Sequence, residues 1–211
     1  MTTFVVLVPV KHTQLGKSRL IPLSDGERQV LATAFALDTL AAVQDAATAG
    51  AAIVEVIVVT DDVGVASRAA ALGASIEPDA GELNRSLAQA AQGAHERHPE
   101  AVLVALCADL PAATGAELTE ALLDLDGSQP AIVVDVAGTG TTMYAASYDR
   151  FDPAFGVHSR TRHQQAGAVQ IGGELPGLRC DVDDLTSLGR ARSLGLGPHS
   201  RAALRERDGV G

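Results

Sequence analysis

Nearly unbroken apolar runs recur along the chain at 4–10 (FVVLVPV), 53–60 (IVEVIVVT), 102–107 (VLVALC) and 131–136 (AIVVDV). Each has the length of a strand and is rich in β-branched residues. None shows the polar alternation of a sheet with one wet face, so each reads as a strand covered on both sides. A shorter piece at 75–77 reads as an edge strand. Between the runs lie alanine-rich stretches with helical preference, at 26–47, 63–72, 83–97 and 114–125. Strand and helix in alternation predict an α/β domain on a doubly wound, mostly parallel sheet. Past 136 the pattern loosens into a Gly/Thr turn and a further strand (GTGTTMYAAS), then a loop through FDPAFGVHSRTRHQQAG. We read 137–170 as a lid or pocket set beside that sheet. A last helix over 185–194 closes the core, and 198–211 is expected to fray.

With 211 residues, 46% of them hydrophobic, the chain is expected to form one domain, 1–211, with an ample core. It is expected to fold alone or as a small oligomer such as a homodimer. No stretch approaches the roughly 20 apolar residues of a membrane span, and no basic segment followed by an apolar one opens the sequence, so a cytoplasmic, membrane-free setting is expected. The two cysteines, Cys107 and Cys180, are isolated and read as packed thiols. A formal net charge of -10 argues against a nucleic-acid partner, which would need a broad basic surface. The cations are nevertheless clustered. Lys11, His12, Lys17 and Arg19 crowd one early loop, and His158, Arg160, Arg162 and His163 crowd a late one. Two compact basic loops in an acidic chain suit small anionic ligands, although solvated surface charge explains either loop alone equally well.

The candidate chemistry begins at AVLVALCADLP, 101–111, where an apolar strand delivers Asp109 into a Pro-closed turn. In open parallel sheets ligands sit at the carboxyl ends of strands, so an acid there is placed for a metal or substrate. A second acidic group, Asp181, Asp183 and Asp184 in RCDVDDL, follows a short apolar stretch. Such hard oxygen ligands suit Mg2+, which favours one or two carboxylates together with phosphate and water. Taken alone, the late cluster reads equally as turn and cap formers, and Asp61 and Asp62 read as caps of the next helix. G-K-S at 16–18 lacks the glycine a phosphate-binding P-loop needs at position 11, which is Lys11. No G-x-G-x-x-G follows the first strand and no G-x-S-x-G elbow occurs, which argues against dinucleotide chemistry and serine catalysis. Two arginines beside His158 and His163 argue against zinc and for anion binding, with Arg160 and Arg162 as the better recognition groups.

These motifs, in this order, resemble the nucleotidyltransferases that guanylylate a small phosphorylated carboxylic acid in biosynthesis of the deazaflavin coenzyme F420: the 2-phospho-L-lactate guanylyltransferases and their phosphoenolpyruvate-using relatives. The likeness is carried by V-P-V-K with L-G-K-S-R-L, A-L-D-T-L at 36–40, V-V-T-D-D, L-N-R-S-L at 83–87, A-D-L-P, G-T-G-T, F-G-V-H-S-R-T-R-H and L-R-C-D-V-D, and it spans nearly the whole chain. It implies a Rossmann-like sheet of the molybdopterin guanylyltransferase type. It places Mg2+ on Asp109, Asp181 and Asp183, the acceptor on Thr141, Gly156 and Ser159 with help from Arg160, and the nucleotide base near Leu83 and Asn84. Lys11, Lys17 and Arg19 are then expected to serve catalysis by holding the triphosphate of GTP. His158 departs from the acidic or small residue usual before the serine. The acceptor stays open among phosphoenolpyruvate, 2-phospho-L-lactate and 3-phosphoglycerate. A sugar phosphate or molybdopterin as acceptor, or a nucleotide-binding module without turnover, are the rival readings.

Overall fold

In the computed structural model, which describes residues 2–11, 23–125 and 127–208, the expected alternation is present with one reversal. Seven strands form one sheet in the order β3-β2-β1-β4-β6-β5-β7. They are β1 (Phe4–Pro9), β2 (Ile53–Val59), β3 (Ser75–Glu77), β4 (Val102–Leu106), β5 (Ala131–Val134), β6 (Thr141–Ala146) and β7 (Val169–Gln170). The pairs β1/β2, β1/β4, β2/β3 and β5/β7 are parallel, and only β6 runs against both neighbours, β4 and β5. The segment expected to lie beside the sheet is thus threaded into it. The turn at 135–140 is short, and a short turn permits only a hairpin, so β6 must return antiparallel to β5.

Helices cover both faces. One face carries α1 (Asp25–Thr48), α2 (Val63–Ala71) and α4 (Gly115–Leu123), where Leu40, Val43, Val65, Leu118 and Leu122 pack on Val6, Val8 and Val104. The other carries α3 (Leu83–Arg97), whose Leu87, Ala90, Ala91 and Ala94 pack on Val5, Leu7 and Leu103. Alternate residues of β1 feed opposite cores, which is why its sequence is apolar without interruption. Ser24 starts α1 with a reciprocal capping box to Glu27. Of the two acids read as caps of α2, Asp62 accepts from the Gly64 and Val65 amides, whereas Asp61 accepts from the Asp79 amide at 3.1 Å and does not cap the helix.

Two expectations are corrected. The 151–167 stretch is not all loop, because α5 (Ser159–Gln165) forms within it. The tail does not fray over 198–208, where α6 (Leu185–Leu194) is followed by α7 (Pro198–Asp208). Leu188, Ala191, Leu196 and Leu204 bury against Leu31 and Phe35 of α1 as a third core. The device that fixes α7 is Asp38, 3% exposed, whose carboxylate accepts from the His199 and Ser200 amides at 2.9 and 2.8 Å. Gly197 makes the approach possible, since a Cβ there would stand 2.3 Å from that carboxyl carbon. A long-range cap of this kind joins residues 161 apart and leaves no local signature. By length and composition α1 could cross a membrane, yet most of it is buried within the fold, as expected of a core helix.

Candidate functional site

The strand order reverses between β1 and β4, and in open α/β sheets the crevice beyond that switch point is where ligands bind. The chain leaving β1 carries exposed Lys11, and the chain leaving β4 carries half-buried Asp109. Because β6 is reversed, its first residue, Thr141, reaches the same edge, opposite Val134 at the end of β5. Cys107 ties the two together, its amide donating to the Thr142 carbonyl and its thiol lying 3.5 Å from the Thr141 carbonyl. Lys17 and Arg19 lie outside the described residues.

Asp109 stands in a turn that is held from both sides. Its carbonyl accepts from the Val182 amide at 3.0 Å, which brings the late acidic segment to the end of β4. From below, the buried Thr39 hydroxyl accepts from the Leu110 amide at 3.1 Å and lies 3.2 Å from the Ala108 carbonyl. Adjacent residues of α1 therefore do separate work, Asp38 on α7 and Thr39 on the Asp109 turn. Neither role is visible in the sequence.

Asp181 is pushed up to about 7, first by burial and then by the negative charge of Asp109, Asp183 and Asp135. Asp135, buried at the end of β5, was not singled out by sequence. It lies inside an apolar run as a turn former, with its carboxylate accepting from the Thr139 amide at 2.9 Å. Together with Asp181, Asp183 and Arg190 of α6 it lines an open cleft of about 430 Å³. Among the described residues no three acidic, histidine or cysteine groups form a ready-made metal cage. The donor set nevertheless fits Mg2+, which needs only one or two carboxylates when phosphates complete the shell, and mutual repulsion among these acids is relieved by a divalent cation. Cys180 beneath them is buried and free, its thiol raised mainly by burial.

The neighbouring loop presents Gly156 and Ser159. Ser159 is the first residue of α5, buried, with its amide donating to the Gly156 carbonyl at 3.0 Å. Gly156 has φ 115°, and His158, at φ 56°, is the single non-glycine residue with positive φ among those described. Histidine, with asparagine and aspartate, is among the side chains that enter that left-handed region most readily, so the residue suits its backbone. Arg160 is pinned through its amide to the Thr139 carbonyl (3.2 Å) and through Nη1 to the Gly138 carbonyl (3.0 Å). Arg162 donates to the Phe155 carbonyl at 2.9 Å, so it braces the loop.

His163 is the clear departure from the sequence reading. It binds no anion from the surface. Fully buried, it stacks on Tyr144 (4.5 Å between ring centroids), meets the edge of Phe155 (5.4 Å), and has its pKa lowered to about 4, chiefly by burial. The Ala154 amide donates to its Nε2 at 2.9 Å, so the ring proton sits on Nδ1, where the Thr141 hydroxyl, 3.1 Å away, and the Ser159 carbonyl share it. The threonine's own proton remains available to donate. Leu83 is half-buried at the start of α3, and Asn84 beside it has both ends of its amide on the Phe155 backbone. Lys11 lies in the field of Glu82, which caps α3, so the cationic end of β1 faces this same helix terminus.

Comparison with known proteins gives the family and the fold. The profile of the family described as "Guanylyl transferase CofC like" matches residues 4–170. A phosphoenolpyruvate guanylyltransferase of Thermomonospora curvata is 43% identical over 205 residues, covering 95% of this chain and 88% of that one. One of Streptomyces avermitilis is likewise 43% identical over 205 residues, covering 95% and 93%. Among solved structures, a nucleotidyl transferase from Methanothermobacter superposes with a TM-score of 0.60 at 16% identity, over 90% of this chain and 96% of that one. The chain belongs to the CofC-like guanylyl transferase family, and its fold is that of the nucleotidyltransferases.

Proposed function

We propose that this family member transfers GMP from GTP to the phosphate of a three-carbon phospho-acid, releasing pyrophosphate, as a step in coenzyme F420 biosynthesis. Phosphoenolpyruvate is the acceptor we favour, because relatives 43% identical over nearly the whole chain carry that substrate in their names. The observation that supports the reading is that Asp109 and Asp181 repel one another at the switch-point edge, where Thr141 opens β6 and the Arg160 amide ties the start of α5 to the Thr139 carbonyl. One side suits a metal-bound triphosphate and the other a small anion.

The chemistry needs no protein nucleophile. An oxygen of the acceptor phosphate attacks the α-phosphorus in line, the bond to the bridging oxygen of the β-phosphate breaks, and pyrophosphate leaves with that electron pair. Positioning and charge stabilisation then dominate the protein's contribution. Asp109 and Asp181, with Asp183 at the rim, would hold Mg2+, which when bound supplies Lewis-acid neutralisation of phosphate oxygens. Lys11, with Lys17 and Arg19, neutralises the leaving pyrophosphate. The Thr141 hydroxyl, its lone pair occupied by neutral His163, donates its proton to the acceptor, and the Gly156 and Ser159 region seats the acid beside Arg160.

Pyrophosphate release measured across four nucleoside triphosphates and the three candidate acids, with a sugar phosphate and molybdopterin as comparison acceptors, tests the proposal. Release is expected with GTP plus one of the acids and with neither alone. Release only with a sugar phosphate or molybdopterin would move the chain to another branch of the fold, and none with any pair would make it a binding module.

A further inference from the structure

Three backbone amides of the loop leading to Gly156 are held by side chains. Asp152 N–H donates to the Tyr144 hydroxyl (3.1 Å), Ala154 N–H to His163 Nε2 (2.9 Å) and Phe155 N–H to Asn84 Oδ1 (2.8 Å). Residue 153 is proline and has no amide to place. Tyr144 and His163 belong to β6 and α5, which flank the loop in sequence. Asn84 comes from α3, 71 residues away, and it also donates from Nδ2 to the Phe155 carbonyl at 3.2 Å. Its amide therefore pairs with Phe155 as a second strand would, one donor and one acceptor at peptide spacing. Each end of that amide spends one hydrogen bond on Phe155, which fixes the plane of the side chain toward the loop.

We propose that Asn84 is a positioning residue for the acceptor: its two hydrogen bonds to Phe155 fix the loop that carries Gly156 and Ser159 against the helix that faces the nucleotide. The inference rests on the functional reading above and revises one part of it, the placement of Asn84 at the base. It also fixes what substitution at this position should do. Aspartate keeps the acceptor for the Phe155 amide but sets a carboxylate oxygen against the Phe155 carbonyl, and alanine leaves a buried amide unpaired.

Steady-state kinetics on the full chain with GTP and phosphoenolpyruvate, for Asn84→Ala and Asn84→Asp, tests this together with backbone hydrogen exchange over 152–159. Both variants are expected to raise the KM of the acid about tenfold, the effect of one lost buried hydrogen bond. The KM for GTP should stay within about twofold, and amide exchange at 154 and 155 should accelerate. Glu82→Ala removes the cap of α3 without touching Phe155, so a matching rise in that variant would reduce the effect to helix fraying and overturn the proposal. A changed KM for GTP, or a changed preference among nucleotides, with the acid KM unmoved would place Asn84 at the base and also overturn it. If the wild-type protein turns over none of the acids, the functional reading fails instead, and the exchange measurement still decides whether Asn84 holds the loop.

Discussion

Replacing Asp181 by asparagine should stabilise the metal-free protein at alkaline pH while abolishing turnover. The carboxyl ionises at about 7 in the fold against a reference of 3.8, so between those values the folded chain holds a proton that the unfolded chain has released. Stability therefore falls as pH rises through that window. About three pH units at about 1.4 kcal/mol each set a ceiling near 4 kcal/mol. The carboxyl is part-exposed and shares its field with three other acids, so about half of that, ~2 kcal/mol, is the working figure. Asparagine keeps the shape without the charge and escapes this cost. Thermal melts in excess chelator should show about a third of the full difference at pH 5, where Asp181 is neutral in the fold but already ionised in the unfolded chain, and the difference should vanish below about pH 3.8. At pH 8.5 the variant should melt about 4–8 °C higher, by the usual scaling for a chain of this size. A variant that is less stable at pH 8.5, or a difference indifferent to pH, would refute the argument that the site carries unrelieved negative charge.

Thr39→Val should leave the Leu110 amide without its acceptor, destabilise the chain by about 1–3 kcal/mol and lower kcat through a loosened Asp109 turn; Thr39→Ser should restore both in melts and turnover assays. Asp38→Ala should cost about 1–2 kcal/mol in urea unfolding and speed amide exchange in α7, because two capping bonds are lost. Acid should unfold the protein through His163. The ring is neutral in the fold down to about pH 4 because of burial and Arg162, with Asp152 opposing, whereas the unfolded ring protonates near 6.5, so its contribution is full above 6.5 and is lost as pH falls towards 4. A His163→Gln variant whose acid midpoint is unchanged would contradict that.

The alternation of apolar runs and alanine-rich stretches was enough to place the sheet, its helices and the end of β4, because hydrophobic period and strand length are local properties. What it missed depends on distant pairs. The docking of α7 needs Asp38 and Gly197 in contact, and the reversal of β6 depends on the tight 135–140 turn between two apolar strands. At the site, Asp109 is legible as an acid at the end of a strand and Asp181 as one of an acidic cluster after a short apolar stretch. Asp135 is hidden inside an apolar run, and His163 reads as a surface cation because Arg160 and Arg162 precede it in sequence. Burial, which sequence alone does not give, is what makes that ring neutral.

Asp109 and Asp181 are proposed to hold jointly the divalent cation that carries the nucleotide's phosphates. Titrating Mn2+ into the GTP-bound protein by electron paramagnetic resonance, for wild type, Asp109→Asn and Asp181→Asn, tests it most directly. One tightly held ion per chain is expected for wild type, with affinity lowered at least about tenfold in each variant. Equal Mn2+ binding by all three proteins would contradict the account.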